Sequence, residues 1–196
     1  ILKLESPGGV VHGYGLAASQ LMRLTAKNIS LTVCVDKVAA SGGYMMACTA
    51  NKIIAAPFAV LGSIGVVAQL PNIHRLLKKH DIDVETLTAG EFKRTLTVIG
   101  ENTEKGRQKM QEDIDDTHEL FKSFVKDNRP QLDIDRLATG EIWYGQQAQS
   151  LQLIDEIATS DDYIFAAVKR ADVYVIDWKI KPTLTEKLGL QIQLGV

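Results

Sequence analysis

The order of apolar and polar residues in the first third of the chain predicts strands and helices in alternation. The continuous apolar run at residues 31–36 is typical of a strand that is buried on both faces of a parallel sheet. An imperfect apolar face at residues 10–27 favours a helix between this strand and a first strand at residues 1–5. Further elements are predicted as strands at residues 52–55, 62–67 and 82–87 and as helices at residues 41–49 and 72–79.

The second half of the chain is predicted to be mostly helical. A long helix is predicted at residues 104–126, where one apolar stripe recurs at three- and four-residue steps. The stripe comprises Met110, Ile114, Thr117, Phe121 and Val125. Shorter helices are predicted at residues 133–137, 145–151 and 161–170. Because β-α-β units repeat, we predict an α/β fold of stacked units with a parallel central sheet and right-handed crossovers.

The composition is that of an ordinary globular protein. Of the 196 residues, 45% are hydrophobic and 23% are charged, and the length fits one domain. The net charge of −2 gives no general electrostatic reason to expect nucleic acid as a partner. Cys34 and Cys48 have neither metal-ligand spacing nor the pattern of a disulfide framework, so we expect them to pack in the core. The sequence suggests no metal and no cofactor.

The two ends of the chain carry separate expectations. The sequence opens directly on a strand pattern without an initiator Met or signal peptide, so we expect a fragment whose N-terminal part, with any membrane anchor, has been removed. Residues 179–196 contain more apolar groups than a free tail needs. We expect this segment to dock either on the body or on a neighbouring protomer. The predicted organisation is therefore a domain at residues 1–178 followed by this segment.

Ser41 is the first candidate for chemistry. It follows a predicted buried strand and begins a predicted helix, and Gly42 and Gly43 let a substrate backbone come close. A helix N-terminus presents unpaired N–H groups and the positive end of the helix dipole. A nucleophilic serine needs such donors for the oxyanion that its attack creates. The same motif is also explained by a simple N-cap role for the serine.

A nucleophilic serine also needs a base. Lys93 follows a predicted strand and a glycine turn beside Phe92, so its stem could enter a dry pocket where burial favours the neutral amine. From the residues alone, a solvated loop charge is the simpler interpretation of Lys93. A Ser-His-Asp triad lacks support, because none of the four histidines has an obvious orienting carboxylate. These are His12, His74, His80 and His118.

Two glycine turns offer oxyanion donors. The first ends the first predicted strand, where the N–H of Gly8 or Gly9 can face a crevice at the carboxyl end of the sheet. The second is the N–H of Gly42, directly after Ser41. Each turn alone is weakly specific, but both follow a predicted parallel strand.

The order of these motifs resembles the signal peptide peptidase A family. The matching motifs are Ser-Pro-Gly-Gly at residues 6–9, Ala-Ser-Gly-Gly-Tyr at 40–44, Gly-Ser-Ile-Gly-Val at 62–66, and Lys93. The stretch at residues 92–97, running into 100–103, looks most like the SohB branch of that family. Residues 139–148 and 153–155 match a further landmark, so the resemblance covers nearly the whole chain.

The resemblance implies a ClpP/crotonase-like fold and a serine endopeptidase with a Ser-Lys dyad. It puts the nucleophile on Ser41, the general base on Lys93 and a supporting role near the substrate pocket on Ser63. The oxyanion hole falls on Gly8 or Gly9 together with Gly42. The implied substrates are membrane-associated or signal-peptide-like apolar peptides. The resemblance further implies a homo-oligomer at the bacterial inner membrane, with its catalytic domain on the periplasmic side.

Two other functions use the same residues differently. A crotonase-like enzyme would apply the two backbone donors to the thioester enolate of an acyl-CoA, which leaves Ser41 and Lys93 without a clear purpose. A non-catalytic assembly module would hold membrane peptides without cleaving them.

Overall fold

The computed structural model of the protein describes residues 1–177, in which short strands alternate with helices. The strands are β1 (Leu2–Lys3), β2 (Thr32–Val35), β3 (Val38–Ala40), β4 (Lys52–Ala55), β5 (Val60–Gly62), β6 (Ile142–Tyr144) and β7 (Glu156–Ile157). The helices are α1 (Val11–Thr25), α2 (Gly42–Ala47), α3 (His74–Lys79), α4 (Glu104–Asn128), α5 (Ile134–Leu137), α6 (Gly145–Ser150) and α7 (Ser160–Ala167).

The larger sheet is entirely parallel, with the strand order β1-β2-β4-β7. Strand β2 lies inside this sheet, where Val33 is in register with Leu2 on one side and Ile53 on the other. All four residues of β2 are buried, which explains why its sequence is a continuous apolar run. The predicted α/β class with a parallel central sheet is confirmed.

The smaller sheet has the order β3-β5-β6, in which β3 and β5 are parallel and β6 is antiparallel to β5. Only Asp36 and Lys37 separate β2 from β3, although the two strands belong to different sheets. The Glu5 carboxylate fixes this turn by accepting hydrogen bonds from the amides of residues 36–38 at 3.0–3.1 Å. The strand that leads into Ser41 is therefore β3, which the sequence analysis missed, and not the long apolar strand β2.

One ion pair is built into the core behind the sheets. The Arg129 side chain, 6% exposed, donates two hydrogen bonds to the Asp155 carboxylate at 2.8 and 3.0 Å and a third to the carbonyl of Gln152. The same carboxylate accepts a hydrogen bond from the amide of Ile53 at 2.7 Å. Burial by itself raises the pKa of Asp155, but the hydrogen bonds from Arg129 and Ile53 outweigh it and hold this pKa below its usual value. The pair thus ties the chain after α4 to the edge of the parallel sheet.

Two predicted strands are wrong. The strand predicted at residues 62–67 is not formed, because Gly62 (φ 91°) and Ser63 (φ 50°) turn the chain away where β5 ends. Residues 82–87 form no strand, and most of their side chains are exposed. A strand needs a neighbour for its backbone hydrogen bonds, and the described structure gives this segment none. The predicted helices are observed within a few residues of their expected bounds.

The chain divides into two units by contact, Ile1–Tyr163 and Ile164–Val196. The first unit contains both sheets and the second is described only as far as residue 177. The segment predicted to dock, residues 179–196, lies outside the described residues, as does residue 178 of the predicted domain. The boundary at 178 therefore stays a prediction. Among residues 1–177, no helix combines the length and apolar character needed to cross a membrane.

Candidate active site

Ser41 occupies a strained turn between β3 and α2. Its φ of 52° and ψ of −122° lie in a region that residues other than glycine rarely adopt, and such a conformation costs about 1–3 kcal/mol. The turn is held in place because the Ser41 amide donates a hydrogen bond to the carbonyl of Gly62 at 2.8 Å. The Ser41 side chain makes no capping hydrogen bond to α2. A helix-capping role therefore does not explain this serine.

A cavity of about 690 Å³ opens in front of Ser41. Its walls come from three chain segments, within residues 7–11, 41–45 and 63–67, together with Phe121 of α4. None of the lining residues is charged, and most of the side chains are apolar. The serine hydroxyl thus belongs to a weakly polar pocket of a size suited to part of a peptide or another small ligand.

The glycine turn at residues 8–9 lies directly against Ser41. Gly8 has a φ of 95°, and a Cβ there would come within 2.7 Å of the Ser41 Cβ and 2.8 Å of the Gly42 nitrogen. The amide of Gly8 is already engaged, since it donates to the Ser6 Oγ at 3.3 Å. The amides of Gly9 and Gly42 donate to no acceptor within residues 1–177. Of the two glycines predicted for the first donor, the geometry favours Gly9 as the partner of Gly42.

Tyr14 of α1 covers the same two glycines from behind. A Cβ on Gly42 would come within 2.4 Å of the Tyr14 ring, and a Cβ on Gly9 would come within 2.9 Å of it. The Tyr14 hydroxyl shares a hydrogen bond of 2.7 Å with the Ser6 hydroxyl. The sequence indicates Ser6 only as part of the motif at residues 6–9 and does not indicate Tyr14, because no local spacing shows that residue 14 folds back onto residues 6, 9 and 42.

Helix α2 is anchored to the core by its tyrosine. Tyr44 is fully buried, and its hydroxyl donates to the carbonyl of Leu153 at 2.8 Å. Burial raises the pKa of the Tyr44 phenol, so this side chain stays a neutral donor. Gly43, next to it, packs so tightly on Ser6 that a Cβ would lie 2.3 Å from the Ser6 carbonyl oxygen. These contacts hold the start of α2, and with it Ser41, in one position.

Ser63 lies beside Ser41 at the end of the neighbouring strand. In the parallel pair β3–β5, Ala40 is in register with Gly62, so Ser41 and Ser63 each come one residue later. Neighbouring strands are about 4.8 Å apart, which puts the two serines on adjacent positions of the cavity wall. The amide of Ser63 donates to the carbonyl of Glu141 at 2.7 Å, which fixes its strained φ of 50°.

Lys93 is the one predicted site residue that does not line the cavity. It lies on an exposed segment at residues 66–103, of which only Gly100 is buried. The predicted strand before Lys93 is absent, and the dry pocket expected around its amine is not formed by the described residues. The cavity thus brings together Ser41, Gly8, Gly9, Gly42 and Ser63, but not the lysine.

Other candidate groups are also away from the cavity. None of the four histidines lines it, and His118 has a buried Nε2 without a hydrogen-bond partner in the described part of the chain. Within residues 1–177, no group of three His, Cys, Asp or Glu side chains is arranged to hold a metal ion. The site is therefore an α/β crevice built around one serine and two backbone donors.

Comparison with protein families agrees with this description. The profile of "Peptidase family S49" matches residues 23–174, and that of "Peptidase family S49 N-terminal" matches residues 1–21. The probable protease SohB of Haemophilus influenzae is 65% identical over 193 residues, which are 98% of this chain and 55% of that protein. The chain belongs to peptidase family S49 and to its SohB branch.

Two more relatives and one solved structure complete the comparison. The probable protease SohB of Buchnera aphidicola subsp. Schlechtendalia chinensis is 63% identical, over 85% of this chain and 54% of that protein. Protease 4 of Salmonella typhi is 29% identical, over 87% of this chain and 28% of that protein. This chain thus spans about half the length of the SohB relatives. An enoyl-CoA hydratase/isomerase structure from Marinobacter aquaeolei has a TM-score of 0.42 and 14% identity, over 85% of this chain and 48% of that one.

Proposed function

We propose that this chain is the catalytic part of a serine endopeptidase in which Ser41 is the nucleophile. The observation that carries the proposal is the strained Ser41 in the cavity wall, beside the amides of Gly9 and Gly42, which have no acceptor among residues 1–177. A backbone held at such a φ is stored strain of the kind found at functional sites. Membership of peptidase family S49 supports the same conclusion.

In the proposed reaction the Ser41 Oγ attacks a peptide carbonyl, and its proton passes to the neutral amine of Lys93. The carbonyl π electrons move onto the oxygen, which accepts hydrogen bonds from the amides of Gly9 and Gly42. The C–N bond then breaks, and the leaving amine takes the proton from Lys93. Water hydrolyses the acyl-enzyme by the same steps. Each backbone donor supplies about 3 kcal/mol of transition-state stabilisation in such a hole.

The lysine must reach the cavity for this dyad to work. Its segment, residues 66–103, carries apolar side chains that are left in solvent, such as Val67 at 89% and Leu87 at 86% exposure. Exposed apolar side chains of this kind are typical of a surface that becomes covered. We therefore propose that this segment packs against a second copy of the chain or against bound substrate, and that Lys93 enters the site in that state. A homo-oligomer is the simplest form that provides such a cover.

The cavity also supports a substrate class. Val10, Val11, Val66, Val67 and Met45 are among its lining residues, and no charge lies among them. A pocket of this kind favours the apolar side chains of an extended peptide, as signal-peptide-like segments would present. The location predicted from the family, at the bacterial inner membrane with the catalytic part in the periplasm, stays a prediction.

Peptide hydrolysis by purified variants tests the proposal. We expect Ser41→Ala and Lys93→Ala each to lower kcat by at least about a hundredfold, since each removes one half of the nucleophile–base pair. Lys79→Ala is the matched control, because Lys79 is another exposed lysine of the same segment. Hydrolysis by Ser41→Ala at the wild-type rate would remove the nucleophile from the proposal. Equal activity of Lys93→Ala and Lys79→Ala would remove the base alone.

Binding measurements separate the other two candidate functions. Saturable binding of a CoA ester to the wild-type chain would favour the acyl-CoA enzyme. Peptide binding without cleavage, and without labelling of Ser41 by a serine-reactive probe, would favour the assembly module.

A further inference from the structure

One tyrosine contacts both backbone segments that carry the unengaged amides. The Tyr14 ring lies against Gly42 and Gly9, at positions where a Cβ on either glycine would collide with it. Glycine is needed at both places because the ring occupies the space that a side chain would fill. Tyr14 itself is partly buried and does not line the cavity, so it supports the site from behind.

The Tyr14 hydroxyl reaches the same turn by a second route. It shares a hydrogen bond of 2.7 Å with the Ser6 hydroxyl, and the Ser6 Oγ accepts the amide hydrogen of Gly8 at 3.3 Å. A hydroxyl oxygen can accept one hydrogen bond and take part in a second, so both contacts are compatible. The link from Tyr14 through Ser6 therefore ends on the residue before Gly9.

An oxyanion hole works only when its two donors are set for the oxygen that the reaction creates. In this site the donors come from separate segments, residues 8–9 after β1 and residue 42 at the start of α2. Among the described residues, backbone hydrogen bonds join the two segments only at Ser6, which donates to the carbonyl of Val38 and accepts from the amide of Ala40, two or three residues before the donors. The Tyr14 ring instead touches Gly9 and Gly42 themselves, so it can set the spacing that the pairing at Ser6 leaves open.

We propose that Tyr14, acting with the Ser6 hydroxyl, is a positioning residue that sets the spacing of the Gly9 and Gly42 amides. The inference rests on the proposed function, because it gives those amides a role in catalysis. The ring holds the two glycine segments at one distance, and the Tyr14–Ser6–Gly8 link fixes the rotation of the first turn. Ser41 performs the attack, while Tyr14 acts only through the backbone donors.

The variant Tyr14→Phe tests the hydroxyl link and keeps the ring. We expect kcat to fall about five- to tenfold, as the loss of one net hydrogen bond predicts, and KM to stay within about twofold. Ser6→Ala breaks the same link and also removes the acceptor of the Gly8 amide, so the double variant is expected to be no worse than Ser6→Ala alone. Tyr14→Leu also removes the ring. Its kcat is expected to fall further, by up to the hundredfold or more that the loss of one oxyanion donor costs.

The matched control is Tyr163→Phe. Tyr163 also shares a hydrogen bond with a hydroxyl, that of Thr32 at 3.1 Å, but it does not touch a glycine turn of the cavity. Its kcat is expected to equal that of the wild type. Thermal unfolding of all variants separates loss of stability from loss of positioning.

Two inhibitors report on the donors directly. A peptide aldehyde adds to Ser41 and puts a tetrahedral oxygen in the hole, so its Ki is expected to weaken by the same factor as kcat. A non-covalent peptide of the same sequence leaves the hole empty and is expected to bind Tyr14→Phe as tightly as the wild type. Equal weakening of both ligands would mean a general packing role and would overturn the inference.

Labelling of Ser41 by a fluorophosphonate separates this inference from the proposed function. The probe loses fluoride as the bond between phosphorus and the serine oxygen forms, and the rate of labelling is measured. Wild-type labelling that is absent, or unchanged in Ser41→Ala, overturns both. Labelling that needs Ser41 but proceeds at the wild-type rate in Tyr14→Phe overturns the positioning role alone.

Discussion

The substitution Gly8→Ala tests the close approach of the first glycine turn to the nucleophile. The new Cβ would lie 2.7 Å from the Ser41 Cβ, 2.8 Å from the Gly42 nitrogen and 2.9 Å from the Ala40 carbonyl oxygen. Ordinary contacts begin near 3.4 Å, so the turn and Ser41 must separate by about 0.7 Å. Two of the three contacts are with backbone atoms, which cannot move aside by a change of rotamer.

The cost has two parts. A φ of 95° is unfavourable for alanine by about 1–2 kcal/mol, and the crowding adds about 1–3 kcal/mol. For a chain of this size each kcal/mol lowers Tm by about 2–4 °C, so the expected drop is about 10 °C. A displacement near 1 Å at a reacting group lowers the rate about a hundredfold, and we expect this loss in kcat.

Gly140→Ala is the control that isolates the crowding. Gly140 also has a positive φ, 83°, but a Cβ there would meet no heavy atom within 4 Å. We expect this variant to lose only about 4 °C in Tm and none of its activity. Thermal unfolding measures Tm, and peptide hydrolysis measures kcat. Equal losses in the two variants would refute the reasoning, because backbone strain alone would then explain Gly8→Ala.

Three further predictions concern the core. Arg129→Met is expected to lower the free energy of unfolding by about 3 kcal/mol in a urea titration. This is the lower end for a broken buried ion pair, because Asp155 is 33% exposed. Unchanged stability would contradict the prediction. Asp155 is expected to contribute stability above pH 3.8, the ordinary carboxyl pKa, and to lose it as the pH falls through its lower folded-state pKa. Unfolding measured from pH 2 to 6 tests this, and Arg129→Met should flatten the acid dependence. Burial raises the pKa of Cys48 to about 12 and also raises that of Cys34. Both thiols are therefore expected to resist a disulfide reagent at pH 8 until the protein unfolds. Rapid reaction of the native chain would contradict their burial.

Local patterns predicted the elements that depend on local sequence. The apolar run of β2, the stripe of α4 and the serine before α2 were all identified because period and turn chemistry act over a few residues. The strand β3 was missed because three small or β-branched residues carry no period of their own. It becomes a strand only because β5 lies beside it.

The parts of the site that the sequence could not give depend on distant contacts. Tyr14 reaches Gly9 and Gly42 because α1 packs on α2, and no spacing rule links residue 14 to residue 42. The choice between Gly8 and Gly9 required knowing that the Ser6 hydroxyl accepts the first of the two amides. The residues alone favoured a solvated loop charge for Lys93, which agrees with its exposed position, and only the resemblance implied a base there.

The hydrogen bonds behind the Ser41 turn also bear on the stage of synthesis at which this turn can form. The Ser41 amide donates a hydrogen bond to the carbonyl of Gly62. The amide of Ser63, which follows Gly62, donates to the carbonyl of Glu141, a hundred positions after Ser41. The chain must therefore be synthesised at least as far as Glu141 before this geometry can form. Under the proposed function, a product that ends before Glu141 would carry Ser41 without this alignment and would be inactive as a peptidase.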